Sequence, residues 1–263
     1  MSSLPPSERF SYMFGKNNYE ILDTPIVDDP ILLTWEDASG KYKNKLAKTR
    51  KRTGLSSAIS VAYGKLTENI NAVVVASDWR YFGSSIGPDE GESILYACQK
   101  SIETESVLII FAQGGGMRMQ IPSAVSLMQM PRTVLGLSEV KKKGIPVIVV
   151  ADSVVAGGIS ASYAATGDFL FFEGKKTKWM FAGPRVAANA SNTEPPEDFL
   201  EGGWAMSHGH GDHMIEKRKD TKDFLIKFLN IILKKDQSSI IGKENIDNIN
   251  ETTKLNKETR EAS

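Results

Sequence analysis

Three short apolar runs in the middle of the chain predict the central strands. The runs AVVVAS, VLIIFA and PVIVVA occupy residues 72–77, 107–112 and 146–151. They are aliphatic and continuous rather than alternating, which is the pattern of strands buried on both faces. Between the second and third runs, residues 123–143 carry apolar side chains at helical spacing, namely Leu127, Met130, Val134 and Leu137. The order strand, helix, strand predicts a parallel sheet with right-handed crossover connections.

The polar pattern divides the chain into three predicted segments. Residues 1–60 are polar and proline-containing and then become basic and helix-like, whereas residues 61–235 carry the apolar runs and the glycine-rich turns. Residues 221–235 place their apolar side chains on one helical stripe, which predicts a closing amphipathic helix. Few large apolar side chains follow, so we expect residues 236–263 to form a mobile tail.

Composition narrows the classes of protein. With 263 residues, 41% hydrophobic and 24% charged, the chain is typical of soluble globular proteins. Lys plus Arg and Asp plus Glu balance at 32 each, so overall charge favours neither nucleic acid nor membrane as a partner. Cys98 is the single cysteine, which excludes an internal disulfide or a multi-cysteine zinc site. The N-terminus has no signal-peptide pattern, and no apolar run approaches the roughly 20 residues of a membrane span, so we expect a cytoplasmic protein.

Two glycine clusters follow two of the predicted strands. The first is AQGGGMRMQ, with glycines at 114–116, and the second is DSVVAGGISASYA, with Gly157 and Gly158. Glycine lets a ligand approach the backbone closely, and free N–H groups at a helix start donate toward it. Two such turns facing each other would form an oxyanion hole from main-chain donors. Tight packing at strand-to-helix turns is the alternative, while the spacing does not match a P-loop.

The stretch SHGHGDH, residues 207–213, holds all three histidines of the chain. His208, His210, Asp212 and His213 match the H-x-H-x-D-H signature of metallo-β-lactamase-like hydrolases, whose two metal ions activate water. That site needs further histidine ligands downstream, and no histidine follows His213. We therefore interpret the match as a coincidence and predict no metal, with adventitious zinc or nickel binding left open.

Seven motifs in order resemble one family. They are RKRTGL, FGSSIGPDEGE, LIIFAQGGGMRMQ, SLMQM, GIPVIVVAD, AGGISASYAATGD and FAGPRV. From about residue 5 to 235, the chain resembles the carboxyltransferase β subunits of multi-subunit acetyl-CoA carboxylases. The resemblance implies an α/β fold of the crotonase-like (ClpP/crotonase) type, a β-β-α superhelix with parallel sheets and flanking helices. It also implies that residues 61–235 are the carboxyltransferase domain.

The resemblance implies a reaction as well. Such subunits transfer a carboxyl group from carboxybiotin, carried on a separate biotin carrier protein, to acetyl-CoA, which gives malonyl-CoA. They act with a carboxyltransferase α-type subunit, so we expect an α2β2-type hetero-oligomer. Gly157 and Gly158 match the family's oxyanion glycines, and Gly115, Gly116 and Met117 match its second glycine turn. No side-chain base is required, because biotin itself can take the proton.

Four basic residues are candidates for binding CoA. Arg118 and Arg185 stand at motif positions of the family, and either one fits a structural salt bridge equally well. Residues 41–52 contain seven Lys and Arg, from Lys41 to Arg52. This stretch either contacts the CoA phosphates or is simply a solvated helix face.

Departures from the family leave alternatives open. The four-cysteine zinc ribbon that usually begins such subunits is absent, Ile121 and Pro122 replace an expected glutamate, and Pro131 should kink or restart its helix. Met117 replaces a small residue, which points to a reshaped acyl pocket. Together, these departures point to a specialised paralogue or to a form that acts on another acyl-CoA. Two other functions are left open. The first is a biotin-independent malonyl-CoA-type decarboxylase or acyl-CoA hydrolase of the same fold, and the second is a non-catalytic CoA-binding regulatory subunit.

Overall fold

A mostly parallel sheet carries the fold in the computed structural model, which describes residues 4–27, 29–182 and 196–233. The strands are β1 (Tyr19–Leu22), β2 (Glu36–Asp37), β3 (Gly40–Lys41), β4 (Ile59–Thr67), β5 (Ile70–Ser77), β6 (Val107–Gly114), β7 (Val147–Ala156), β8 (Phe169–Glu173), β9 (Lys178–Met180) and β10 (His213–Ile215). The helices are α1 (Pro6–Phe14), α2 (Pro30–Thr34), α3 (Tyr42–Thr53), α4 (Pro88–Glu103), α5 (Ser123–Leu127), α6 (Gln129–Lys142), α7 (Gly202–Ser207) and α8 (Thr221–Ile232).

The strand order of the sheet is β1-β4-β5-β6-β7-β8-β10, with β9 beside the end of β7. The pairs β1–β4 and β4–β5 are antiparallel, and the remaining pairs are parallel. The three predicted strands are β5, β6 and β7, which are neighbours and almost wholly buried, so the predicted parallel core is confirmed. The long strand β7 pairs with β8 through residues 148–151 and with β9 through residues 154–156.

Helices α4 and α6 pack against each other beside this sheet. A Cβ built on Gly136 of α6 would lie 2.7 Å from Leu95 Cδ2 of α4, so glycine permits the close approach of the two helices. The predicted helix over residues 123–143 is divided at Met128, and Pro131 lies in the first turn of α6. Proline is tolerated in a first turn, where its missing N–H has no helical acceptor, so a restarted helix agrees with the prediction.

The segment after the second glycine cluster is not the regular helix that the sequence suggested. Residues 157–165 form successive turns, in which Ala164 N–H donates to Ile159 O, five residues back. The hydroxyls of Ser160 and Ser162 donate to the carbonyl oxygens of Gly157 and Gly158 and so compete with helical bonding. The first cluster is also not followed directly by a helix, because α5 begins only at Ser123.

Helix α1 is attached to the sheet by buried charges. Arg9 donates to Asp152 Oδ2 at 2.7 Å and to Glu173 Oε1 at 2.8 Å, and its guanidinium lies 4.1 Å from the centre of the Phe111 ring. Arg218 completes the cluster, at 2.9 Å from Asp152 Oδ1 and 2.7 Å from Glu173 Oε2. Two guanidinium groups thus balance two carboxylates, one within β7 and one at the end of β8.

The chain divides into two compact units, Met1–Lys222 and Asp223–Ser263. In the second unit, residues 223–233 are described, and residues 223–232 are helical, as predicted. The boundary predicted at residue 60 stays a prediction, although β1 is paired in the central sheet. The predicted tail, residues 236–263, and Arg185 lie outside the described residues. In the ranges that are described, no helix has both the length and the apolarity to cross a bilayer.

Candidate functional site

The two glycine clusters meet at the ends of β6 and β7. Gly116 has φ +105° and Gly157 has φ +56°, which are backbone conformations that L side chains rarely adopt. A Cβ built on Gly116 would lie 3.3 Å from Ala156 O and 3.4 Å from the nitrogen of Gly158. A Cβ on Gly116 would require the facing turn to shift, and the positive φ of Gly157 would strain any other residue there, so the close contact between the turns depends on glycine.

Some main-chain N–H groups of the two turns are bonded within the protein, and others are available to a ligand. Gly115 N–H donates to Gly83 O at 2.9 Å, and Gly157 N–H donates to Met180 O at 3.0 Å. The N–H groups of Gly116, Met117 and Gly158 have no acceptor among the described residues. Of the five amides proposed from the sequence, these three are therefore the ones that the geometry leaves for a ligand.

Two methionine side chains cover Gly158. A Cβ built on this glycine would lie 2.6 Å from Met117 Cγ, would collide with Met117 Sδ, and would lie 3.3 Å from Met130 Sδ. The half-buried Met117 side chain packs against the main core cluster. Met117 therefore provides an available N–H in the first glycine turn, and its thioether packs against Gly158 in the second.

Residues 82–86, which belong to the motif FGSSIGPDEGE, pack against the first glycine turn. Ile86 N–H donates to Gly116 O at 2.8 Å, and Arg118 N–H donates to Ile86 O at 2.9 Å, which forms a one-residue parallel bridge between Ile86 and Met117. A Cβ on Gly114 would lie 2.9 Å from the carbonyl carbon of Ser84. The positive φ angles of residues 82–84 bring this segment into contact with the turn.

Arg118 lies in the protein interior. Its Nη2 is 2.8 Å from Glu90 Oε1 and donates to Ser85 O at 2.8 Å, and both charged side chains are fully buried. Burial opposes the positive charge, but the Glu90 carboxylate, with a contribution from Tyr42, raises the pKa of Arg118 above its ordinary value. Of the two roles left open by the sequence, the structural salt bridge is the one that the geometry displays.

Glu90 connects that arginine to neighbouring elements. Its carboxylate accepts from Gly87 N–H and from Ala58 N–H, each at 2.9 Å. The first of these bonds caps the N-terminus of α4, and the second reaches the residue before β4. The Arg118–Glu90 pair therefore fixes the turn that ends β6 relative to α4 and β4.

The other residues proposed for CoA lie elsewhere. Lys41 immediately precedes α3, Arg52 lies in its last turn, and both side chains are exposed. Arg52 Nη2 donates to Arg80 O at 2.6 Å. Their role toward CoA stays a prediction, as does that of Arg185.

The three histidines of residues 207–213 lie at a helix end, in a loop and at the start of a strand. His208 ends α7, where its ring stacks on Trp204 with centroids 3.9 Å apart, and His213 opens β10. Asp212 Oδ2 accepts from Leu170 N–H at 2.7 Å. Among the described residues, no group of three His, Cys, Asp or Glu side chains is arranged to hold a metal ion. The stretch therefore has a local structural role at the edge of the sheet.

An apolar cleft of about 350 Å³ adjoins the second glycine turn. Ser160 lies at its wall and donates to Gly157 O at 2.9 Å and Met180 O at 2.7 Å. The aromatic and histidine side chains of its lining are Trp179, Phe181, Phe199, Trp204 and His210. No sequence pattern predicts this cleft, because its walls come from three separate segments.

The chain is similar to known proteins over most of its length. Residues 26–258 match the carboxyl transferase domain family. The chain is 42% identical over 243 residues to the acetyl-coenzyme A carboxylase carboxyl transferase subunit beta of Pelagibacter ubique, which covers 92% of this chain and 76% of the relative. It is 38% identical over 214 residues to the same subunit of Hirschia baltica, which covers 81% of this chain and 60% of that relative.

Solved structures agree in fold. A transcarboxylase 12S structure with methylmalonyl-coenzyme A and methylmalonic acid bound has a TM-score of 0.68 at 19% identity, over 85% of this chain and 41% of that one. The Pseudomonas malonate decarboxylase MdcD-MdcE hetero-dimer gives 0.63 at 16% identity, over 86% and 85% of the two chains. The crotonase-like fold expected from the sequence is thereby confirmed.

Proposed function

The chain belongs to the carboxyl transferase family, and we propose that it is the β-type subunit of an acyl-CoA carboxyltransferase that converts acetyl-CoA to malonyl-CoA. The observation that carries this proposal is the meeting of two glycine turns that leaves the amides of Gly116, Met117 and Gly158 for a ligand. The partners are a carboxyltransferase α-type subunit and a biotin carrier protein, in an α2β2-type assembly.

The three amides suit the charge that this reaction develops. Loss of a proton from the methyl group of acetyl-CoA moves negative charge onto the thioester oxygen, which needs donors already in position. Gly158 donates from one turn, and Gly116 or Met117 donates from the other. Because the turns are held by the Ile86 bridge and by the bond from Gly157 to Met180, the donors need little rearrangement when the charge appears.

The three proposed donors bring no side-chain acid or base to this position. Gly116, Met117 and Gly158 carry no titratable group, and the nearby Arg118 is paired with Glu90 in the interior. Carboxybiotin, when bound, would supply the carboxyl group for the new bond to the methyl carbon, and its released ureido nitrogen would take up the methyl proton. In this proposal, the described residues of this chain bind the acyl-CoA and stabilise the charge on its thioester oxygen.

The proposal is tested with the full chain copurified with its α-type partner. We expect the complex to transfer carboxyl groups between malonyl-CoA and free biotin, measured by the loss of malonyl-CoA and the gain of acetyl-CoA. Gly158→Val should lower this rate by about 100-fold or more, since it removes access to a main-chain donor. Gly203→Ala is the control, because a Cβ on Gly203 would meet nothing closer than 3.9 Å.

The controls separate the competing functions of the same fold. Malonyl-CoA turnover that requires no biotin and is unaffected by avidin would replace the proposal with a decarboxylase or hydrolase. CoA binding by a complex that turns over no acyl-CoA would favour a regulatory subunit and would overturn the proposed activity.

A further inference from the structure

Met117 combines two features at the meeting of the glycine turns. Its main chain is fixed, because Ile86 bonds to the residues on both sides of it, Gly116 and Arg118. Its side chain extends over Gly158, with Cγ 2.6 Å from the position that a Cβ of that glycine would take. The Met117 thioether therefore lies beside Gly158, whose amide is available, and the main chain of Met117 supplies a second available amide.

Met130 extends the same apolar surface. Its Sδ lies 3.3 Å from the Gly158 Cβ position, although it comes from the first turn of α6 rather than from the glycine turn. Two thioethers thus occupy the space directly next to Gly158. An acyl group whose oxygen accepts from the Gly158 N–H would lie close to these side chains, because the amide nitrogen is bonded to the Cα beside which they pack.

We propose that Met117 is a specificity-determining residue, which restricts the acyl group beside Gly158 to short chains. The inference rests on the proposed function, since it concerns the acyl-CoA bound at the same amides. Its physical basis is volume: each additional methylene of the acyl group must displace part of a side chain that packs against the core. One methylene in such a pocket typically changes selectivity by about 10- to 200-fold.

The inference predicts a change in substrate preference. In the complex with the α-type partner, Met117→Ala should raise the ratio of kcat/KM for butyryl-CoA to that for acetyl-CoA by about tenfold or more. Met117→Leu keeps most of the volume and should leave the ratio near the wild-type value. Met119→Ala is the matched control, because the Met119 side chain is 77% exposed.

A second measurement does not depend on activity. Gly158→Ala places a methyl group where Met117 lies, so it should lower the melting temperature in the wild-type background and lower it less in the Met117→Ala background. Equal losses in the two backgrounds would show that the Met117 thioether does not occupy this space, and would overturn the inference.

The outcomes distinguish this inference from the proposed function. A wild-type complex that is inactive with every acyl-CoA would contradict the proposed function, whereas the two melting-temperature losses would still test the packing of Met117 on Gly158. An active complex whose acyl preference is the same for wild type and Met117→Ala would overturn the inference alone.

Discussion

Arg118 Nη2 lies 2.8 Å from Glu90 Oε1, and no part of either side chain reaches the surface. The pair joins the turn after β6 to the first turn of α4, and its guanidinium lies 4.7 Å from the centre of the Phe82 ring. Because Arg118 directly follows Met117, the geometry of the proposed donors depends on this buried pair.

Replacing Arg118 should therefore destabilise the protein and disturb the site. Arg118→Met leaves Glu90 charged and unpaired in the interior, so we expect a loss of about 3–5 kcal/mol in the free energy of unfolding, measured by urea denaturation. Lys142→Met is the control, because the Lys142–Glu139 pair is exposed and should contribute less than about 1 kcal/mol. Similar losses for the two variants would contradict the structural role of Arg118.

Arg9 is expected to matter for stability without touching the proposed donors. Arg9→Met removes one of two cations from the cluster with Asp152 and Glu173, and should lower the free energy of unfolding by about 3 kcal/mol or more. Urea denaturation of full-length protein provides the measurement, with Lys175→Met at an exposed pair for comparison. A stability change no larger than that of Lys175→Met would be inconsistent with a structural role for the cluster.

Asp89 should make the stability depend on pH. Burial and the neighbouring Glu90 carboxylate raise the pKa of Asp89 from 3.8 to about 6. Because the folded protein holds this proton more tightly than the unfolded chain, the stabilisation is complete below pH 3.8 and is lost as the pH rises through about 6.

Asp89→Asn removes that ionisation while keeping an acceptor for Val27 N–H. The variant should therefore be more stable than wild type at pH 8, by about 1–3 kcal/mol, with the difference shrinking toward pH 4. Urea denaturation at the two pH values measures it. A variant that is less stable than wild type at pH 8 would show that the ionised carboxylate is favourable where it lies.

Removal of metal should have no effect. The histidines of residues 207–213 belong to a helix end, a loop and a strand, and in the described part of the chain no three His, Cys, Asp or Glu side chains are grouped to hold a metal ion. Dialysis of untagged protein against a chelator should leave its melting temperature and the activity of its complex unchanged. Stoichiometric zinc that survives dialysis would contradict this interpretation.

The sequence predicted the parts of the fold that have a strong local signal. The continuous aliphatic runs of β5, β6 and β7 predict buried parallel strands, because a strand with one face in water would alternate apolar and polar residues. The short strands β1, β9 and β10 were not predicted. Three or four residues give too little periodicity, and their pairing depends on distant strands.

Sequence reasoning also missed interactions between distant residues. Arg9 and Asp152 are 143 positions apart and look like ordinary surface charges in the sequence, yet they meet in the interior. The sequence predicts a helix after Gly158, whereas residues 157–165 form successive turns, because the hydroxyl bonds of Ser160 and Ser162 depend on the backbone that they help to form. The glycine clusters were recognised, whereas the internal use of the Gly115 and Gly157 amides required coordinates.

Main-chain amides at the meeting of the two glycine turns should polarise the thioester carbonyl of a bound acyl-CoA. Infrared difference spectroscopy of acetyl-CoA labelled with ¹³C at the thioester carbonyl, bound to the complex with the α-type partner, measures this directly. A hydrogen bond to the oxygen weakens the carbonyl bond, so its stretching frequency should fall below that of free acetyl-CoA and return toward it in Gly158→Val. A frequency equal to that of free acetyl-CoA in the wild-type complex, with the ligand bound, would contradict the claim.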